Sequence, residues 1–460
     1  MALEVIKIFE YDEKLINSNS DIKFNGKEIH RLQKLNENLK KIQRVKFDPI
    51  LFVYRGNEAI KIVASSFVGV VKVGRKVIQI LPKMARGTDE NSPEYSTQAI
   101  HNLLYMLSYT KRLGIKETDL ASLKRFNDNF FEVLIYLLAK NLLNLVKTNF
   151  HKQYVGKEDN LSYIKGKLQF NNHLKKNIIN RSRFYLEFDE FSEDNLLNQI
   201  LKYTIHLLIK ATGNFNNLKM LHELSFIFSD ITLNKIRISD FKELRLSRLN
   251  QKYEPILNLC KIFISDSSLE LNADRINTFS FIFDMNVLFE EFIGEFIKRN
   301  FSDNNRRISL QKPIRDFVDD KIINFKSCGP VFKLRPDIQV YKNGGDDPIT
   351  IIDTKYKVLE DTDEKKEGVA QSDLYQMNAY AKKYNCGNIV LLYPMLFGQS
   401  AKNIRFEIDK TTIIHVRTVN LCRDLKREKE NLKNELAGIL GRVQGESLYN
   451  IKQVAGKILK

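Results

Sequence analysis

At 460 residues the chain is longer than one ordinary hydrophobic core organises, and roughly 150 residues per domain predicts two or three domains. Hydrophobic residues at 43% and charged residues at 28% exclude an intrinsically disordered protein. With 73 Lys and Arg against 56 Asp and Glu the net charge is +17, a field suited to a polyanion, either nucleic acid or, less often, an anionic membrane surface.

The N-terminal segment MALEVIKIFEYDEK has no basic stretch followed by an apolar core and a small-residue cleavage site, so a cytoplasmic protein is expected. The first hundred residues alternate short β-like runs (LEVIKIF, ILFVYR, AIKIVA, FVGVVKV, KVIQILP) with turns, and carry one helix from about Glu28 to Gln43. Gly69 to Lys76 has the outline of a phosphate-binding loop, but Arg75 takes the lysine position and Lys76 the Ser/Thr position. The segment therefore reads as a β-hairpin. No other nucleotide-binding loop is found, so an NTP-driven step belongs to another protein, and no nucleotide is expected on this chain.

Ala85 to Ser96, rich in Gly, Pro, Ser and charge, reads as a boundary. Residues 97 to 150 predict two helices, Asp194 to Lys210 a third, and a helix-rich stretch continues to Ile264. The most apolar run, Phe130 to Val146, is interrupted by Glu132, Lys140, Asn141 and Asn144, short of the roughly 18 apolar residues a membrane span requires. From about Asn277 the pattern becomes helix, strand, strand, helix, strand. The expected architecture is α/β and multidomain: a β-rich domain over 1–95, a helix-rich middle region over 96–275 and an α/β domain over 276–460.

Four cysteines, Cys260, Cys328, Cys386 and Cys422, lie far apart with no C-x-x-C pair, and the seven histidines are equally scattered. Neither a zinc ribbon nor a histidine metal site is indicated.

The chemistry concentrates near residue 353. Ile349 to Lys357 is an apolar, β-branched run that ends in charge, and in a strand Asp353 and Lys355 share one face while Thr354 takes the other. Val331 to Tyr341 reads as a second strand, with Asp337 directly after Pro336. The turn Asn343-Gly344-Gly345-Asp346-Asp347 pairs the two as a hairpin and brings Asp337 near Asp353. Two carboxylates without histidine or cysteine form a hard oxygen site for Mg²⁺ or Mn²⁺. Such an ion activates water beside a phosphate, and Lys355 supplies a fixed positive charge there.

The D-x-K triplet alone carries no information, since it also begins at Asp12, Asp21, Asp240, Asp319 and Asp363, among other positions. What sets Asp353 apart is its context: the end of an apolar strand, one hairpin after Pro336-Asp337, and ahead of a helix from Val369 to Tyr384. On that helix Gln376 and Tyr380 share a face, with Asp373 one turn earlier. Spacing alone leaves open whether they orient the lysine and phosphate or merely face water. Phe281 to Ile293 predicts an amphipathic helix on which Glu290 or Glu291 either reaches the metal or forms a solvated acidic face.

The stretches FDMNVLFEEF, LRPDIQVY, IIDTKYK and SDLYQMNAYAKKY with LLYP, together with VGVVKVGRKVIQILPKM and SRFYLEFDEFSEDNLLNQILK upstream, resemble the McrC family, the nuclease partner of McrB-type AAA+ GTPases in modification-dependent restriction. QMNAY is similar to the glutamine-tyrosine motif of RecB-type nucleases of the PD-(D/E)XK superfamily. The resemblance implies a C-terminal PD-(D/E)XK endonuclease domain and an N-terminal part that docks into the partner ring and stimulates its NTP hydrolysis. It implies that Asp337 and Asp353 bind metal, that Lys355 assists catalysis with Gln376 and Tyr380, and that Glu290, or its neighbour Glu291, completes the metal site.

A RecB/Cas4-like repair exonuclease would use the same catalytic parts, but many of these carry an iron–sulfur cluster whose close cysteine spacing is missing here. A non-catalytic activator of an AAA+ motor is the other alternative. Residues 410 to 460 hold eleven Lys and Arg against five Asp and Glu, and Lys426, Arg427 and Lys429 are candidates for double-stranded DNA contact or for a merely solvated helix. Target sequence and methylation preference are not encoded in such a site.

Overall fold

The structure, a computed structural model, describes residues 3–17, 24–43, 50–55, 59–85, 93–110, 117, 129–148, 150–248, 250–267, 278–312, 315–323, 326–359, 367–409 and 411–441. The N-terminal elements are β1 (Glu4–Phe9), β2 (Glu13–Asn17), α1 (Gly26–Gln43), β3 (Ile50–Arg55), β4 (Ala59–Ala64), β5 (Phe67–Val73) and β6 (Lys76–Leu81). The middle holds α2 (Pro93–Tyr109), α3 (Phe130–Thr148), β7 (Gln153–Leu161), β8 (Lys167–Leu168), α4 (Phe170–Lys176), β9 (Phe184–Ser192), α5 (Leu196–Ala211), α6 (Phe215–Ile227) and α7 (Glu254–Ser267). There follow β10 (Thr278–Asp284), α8 (Met285–Phe301), β11 (Arg306–Leu310), β12 (Arg315–Val318), β13 (Ile322–Ile323), β14 (Lys326–Ser327) and β15 (Val331–Leu334). The chain continues through β16 (Ile338–Lys342), β17 (Pro348–Thr354), α9 (Gln371–Tyr384), β18 (Asn388–Met395), β19 (Asn403–Glu407), β20 (Ile413–Asn420) and α10 (Lys429–Gly441).

The six-stranded sheet that carries the site runs β11-β16-β17-β18-β20-β19. β17, β18 and β20 are mutually parallel, and β11, β16 and β19 run antiparallel to their neighbours. Parallel central strands must be covered on both faces. On one face α9 contributes Met377, Ala381 and Tyr384 to a cluster with Ile351, Leu391 and Val416. On the other, Phe289, Phe292 and Ile293 of α8 pack with Ile338, Ile352 and Leu392. Gly294 lets α8 approach closely, since a Cβ there would stand 3.1 Å from Leu310.

A four-stranded sheet, β1-β6-β5-β10, gathers three of the N-terminal strands, and β2, β4 and β3 form a separate three-stranded sheet. β10 lies some 200 residues along the chain from its partner, and its last residue, Asp284, begins α8 by accepting a hydrogen bond from the Asn286 amide at 2.9 Å. The helix expected from Phe281 therefore starts only at Met285. The aromatic and β-branched run Phe279-Ser280-Phe281-Ile282-Phe283 favours a strand, and it pairs antiparallel with β5. Gly69 makes this pairing possible: its φ is +134°, and a Cβ would fall 1.9 Å from the Phe281 carbonyl oxygen.

The Gly69–Lys76 segment is a hairpin, β5 against β6, turning at Gly74 with φ +60°. Both helices expected between 97 and 150 form, as do the helix near 194–210 and those beyond it. The middle region also contains a three-stranded sheet, β7-β9-β8, that its polar, weakly alternating sequence does not announce. The expected strand Val331–Tyr341 is split into β15 and β16 at Arg335-Pro336-Asp337, because Pro336 lacks the N–H a continuous ladder needs. No helix among the described residues is long and apolar enough to cross a membrane. Much of the 85–96 boundary, Asp363, and residues 442–460 of the basic C-terminal stretch lie outside the described residues.

Candidate active site

Strand β17 alternates as its sequence requires: Ile351 packs beneath α9 and Ile352 beneath α8. Asp353 therefore emerges on the α9 face and is 2% exposed. Lys355, one residue past the strand, is anchored by its amide on the Leu392 carbonyl at 2.9 Å, and its Nζ lies 2.6 Å from Asp353 Oδ2. That ion pair is off-axis for a hydrogen bond, so Asp353 Oδ2 is buried without an aligned donor.

The β16–β17 register pairs Ile338 with Ile352, which places Asp337 across from Asp353. Asp337 stands just outside β16, where the chain bends after Pro336. Its Oδ2 accepts from both the amide and the hydroxyl of Thr354, each at 2.7 Å. Thr354, expected only to point away from Asp353, thus holds the second carboxylate.

Both acids resist ionisation. Burial, and then the charge of Glu290, push Asp337 up to about 7, against the two hydrogen bonds from Thr354. Burial, and then the charge of Asp337, push Asp353 up to about 7, with Lys355 opposing. Burial works against a charged Lys355, but Asp353 outweighs it and the ammonium is held protonated.

The helix α9 residues reach this centre. Lys355 Nζ donates to Gln376 Oε1 at 3.1 Å, Gln376 Nε2 to the Tyr380 hydroxyl at 3.0 Å, and that hydroxyl to the Arg335 carbonyl at 3.3 Å. The chain of contacts links the lysine to the bend that presents Asp337. Asp373 is buried one turn earlier and accepts from Lys357 at 3.3 Å and Tyr393 at 3.5 Å.

Glu290 approaches from the opposite side, on α8, where it raises the Asp337 carboxyl and accepts a hydrogen bond from Gln311 Nε2. Of the two adjacent glutamates, Glu290 is the one whose charge Asp337 feels most. The three acids nevertheless do not close into one ligand set: among the described residues no three His, Cys, Asp or Glu side chains are grouped to hold a metal ion. The reason is topological, since Asp353 and Glu290 belong to opposite faces of the sheet. The donor chemistry of Asp337 and Asp353 still fits a hard divalent cation, which would relieve two repelling carboxylates and bind Asp353 Oδ2, an atom that is ion-paired with Lys355 but accepts no aligned hydrogen bond.

The basic candidates lie elsewhere. Arg427 pairs with Asp424 at 3.4 Å and Lys429 with Glu117 at 3.1 Å, so two of the three are engaged within the chain, and Lys426 is half-buried beside them. Two residues that sequence reasoning passes over are Glu10 and Tyr356. Tyr356, next to Lys355, donates a hydrogen bond to the buried Glu10 of the N-terminal sheet. A tyrosine in the run Asp-Thr-Lys-Tyr is visible, but nothing marks a partner 346 residues away.

Similarity to known proteins agrees with this architecture. The chain is 25% identical over 337 residues to the type IV methyl-directed restriction enzyme EcoKMcrBC of Escherichia coli (strain K12), covering 71% of this chain and 93% of that one. Its fold is similar to a chain in the Thermococcus gammatolerans tetradecameric assembly of McrB AAA+ hexamers with bound McrC. That match has a TM-score of 0.67 and 24% identity over 93% of this chain and 100% of that one. A second Thermococcus gammatolerans McrBC complex matches at TM-score 0.50 and 29% identity, over 65% of this chain and 88% of that one. The family model for the McrBC 5-methylcytosine restriction system component matches residues 62–394, most of the chain, and the protein belongs to that family.

Proposed function

We propose that the chain is the DNA endonuclease subunit of an McrBC-like restriction system, a PD-(D/E)XK enzyme that hydrolyses phosphodiester bonds with Mg²⁺ and works with an McrB-like AAA+ GTPase ring. The observation that carries the reading is the pair of carboxylates, half-buried Asp337 and buried Asp353, across from each other at a sheet end with Lys355 2.6 Å from Asp353. A structural ion pair needs one acid, and here a second acid, Asp337, helps burial to raise Asp353 at a cost in stability. Partnership with a AAA+ ring is supported by the assemblies of the two similar structures, one of McrB hexamers with bound McrC and one an McrBC complex.

In this reading Asp337 and Asp353 hold the divalent ion, with Glu290 adding negative charge beside Asp337. Bound there, Mg²⁺ or Mn²⁺ would polarise the scissile phosphate and lower the pKa of water. Lys355 keeps its proton at neutral pH and presents it toward the anionic phosphate oxygens or the incoming hydroxide. Gln376 and Tyr380 hold that ammonium in place through the contacts on α9, and Thr354 fixes the rotamer of Asp337. Lys426, Arg427 and Lys429 are proposed to contact DNA phosphates, Arg427 and Lys429 by exchanging their internal partners Asp424 and Glu117.

The test is to co-purify the chain with the product of the neighbouring reading frame and assay plasmid cleavage with Mg²⁺ and NTP. Asp353→Ala and Lys355→Ala should each lower cleavage by about 10²-fold or more while stimulation of the partner NTPase survives. Cleavage persisting in both variants would place the chemistry elsewhere. A wild-type complex that stimulates the NTPase and never cuts DNA would mark a non-catalytic activator.

A further inference from the structure

The N-terminal four-stranded sheet and the sheet that carries the candidate site meet at a buried polar knot. Glu10 follows β1, is 2% exposed, and is fixed by its amide on the Leu81 carbonyl at 2.9 Å. Its Oε1 accepts from the Lys83 amide at 2.8 Å and from the hydroxyl of Tyr356. The ammonium of Lys83 lies 4.4 Å from the centre of the Tyr11 ring and 4.7 Å from that of Tyr356. Tyr356 is 3% exposed, and its ring packs against Phe289 on α8 with centroids 5.6 Å apart.

Tyr356 immediately follows Lys355, and Phe289 immediately precedes Glu290. Parity along the strand end turns Lys355 toward α9 and Tyr356 toward α8, so the two adjacent side chains act as opposite ends of one lever. A second connection runs in parallel, because β10 of the same N-terminal sheet passes directly into α8, whose first amide, that of Met285, donates to the Ser66 carbonyl at 3.0 Å. Apolar packing alone could hold the two sheets together. Burying a carboxylate, one of whose oxygens has no hydrogen-bond partner, costs stability, and such a cost persists where the contact fixes a geometry.

We propose that the Glu10–Tyr356 hydrogen bond is the positioning contact through which the N-terminal sheet sets Lys355 and Glu290 relative to Asp337 and Asp353, so that nuclease turnover depends on how that sheet is seated. Glu10 and Tyr356 are positioning residues and touch no reacting atom. The inference rests on the nuclease reading of Asp337, Asp353 and Lys355. It adds that the N-terminal sheet is part of the catalytic setting and that the Glu10–Tyr356 pair carries its coupling to Lys355, beside the direct passage of β10 into α8.

The experiment uses the full chain with its co-purified partner ring, supercoiled plasmid, Mg²⁺ and NTP, with Asp353→Ala as the control for the site itself. Tyr356→Phe removes one hydroxyl and keeps the ring on Phe289. It should lower kcat for cleavage about tenfold or more while KM for DNA, stimulation of the NTPase and Tm stay near wild type. Glu10→Leu should match it, and Glu10→Gln, which keeps an oxygen facing the phenol, should recover most of the lost kcat. The Glu10→Leu/Tyr356→Phe double variant should be no worse than either single one. Tyr356→Phe at wild-type kcat, or Glu10→Gln no better than Glu10→Leu, would overturn the proposal while the Asp353→Ala loss left the nuclease reading intact. Loss of Tm or of NTPase stimulation in step with kcat across these variants would also overturn it, as the mark of a merely structural contact. Undiminished cleavage by Asp353→Ala would instead remove the nuclease reading and this inference with it.

Discussion

Asp353 and Lys355 are a pair whose geometry the strand period dictates, since residues two apart share a face and a buried acid draws the nearest ammonium to 2.6 Å. The consequence for stability has a definite sign. Asp353 is raised from its ordinary 3.8 to about 7 by burial and Asp337, so the folded state binds its proton more tightly than the unfolded one. Stability is then greatest below the ordinary value and falls as the pH rises through about 7. Asp353→Asn should accordingly melt above wild type at pH 8 by several degrees, with the gain vanishing near pH 4. Thermal melts across that range check it, and a variant destabilised at pH 8 would contradict it. Lys355 gains a hydrogen-bond partner in Gln376 at 3.1 Å, and Gln376→Ala should lower kcat about 10–100-fold with little change in DNA affinity. Single-turnover cleavage alongside a binding isotherm separates the two.

At this scale the sequence is informative where the interaction is local. Asp337, Asp353 and Lys355 can be picked out because one hairpin joins them. The choice between Glu290 and Glu291 cannot be made, because both sit on one helix turn and only the packing of α8 turns Glu290 toward Asp337. Alternation places Thr354 on the far face. That rule holds within a ladder, but Asp337 stands beyond the end of β16 and comes back to meet the hydroxyl.

Elements are governed by longer-range pairing. The run Phe281-Ile-Phe-Asp284 carries apolar residues compatible with either period, and its tertiary partner β5 decides for the strand. Asp284 then ends the strand and caps α8 in one residue, which fixes where Phe289 and Glu290 point. Gly69 is the position on which this pairing most depends, because φ is +134° and the Phe281 carbonyl occupies the space of a Cβ. Gly69→Ala should destabilise by about 3 kcal/mol or more. Denaturant unfolding measures it, and a variant within 1 kcal/mol of wild type, on the order of ordinary surface changes, would show that the strand shifts freely. Pro336 shows the converse case: its position is visible in the sequence, and the missing N–H breaks one expected strand into β15, which pairs with β12, and β16, which pairs with β11 and β17.

Over the whole molecule, a charge of +17 leaves many cations that acidic residues do not neutralise, the property expected of a protein that meets a polyanion. Arg427 and Lys429 are held by Asp424 and Glu117. Reversing Lys426, Arg427 and Lys429 together should reduce the slope of log affinity against log salt by up to about 0.9 for each DNA phosphate that is no longer neutralised. An unchanged slope would show that these three do not touch DNA phosphate. Periodicity makes legible individual strands near the start, the helices of the middle stretch and the strands and helix around Asp353 in the last third. The joining of the start and the last third through β10 and Glu10 is not legible, because pairings between segments hundreds of residues apart leave no local pattern.

That Asp337 and Asp353 together hold a divalent cation is tested most directly by calorimetric titration of Mn²⁺ into the purified chain at pH 8, without recourse to DNA or partner. One ion bound per wild-type chain, abolished in Asp337→Asn/Asp353→Asn while the variant's fold is intact by circular dichroism, is the predicted result. Equal Mn²⁺ binding by the double variant, or none by the wild type, would contradict it.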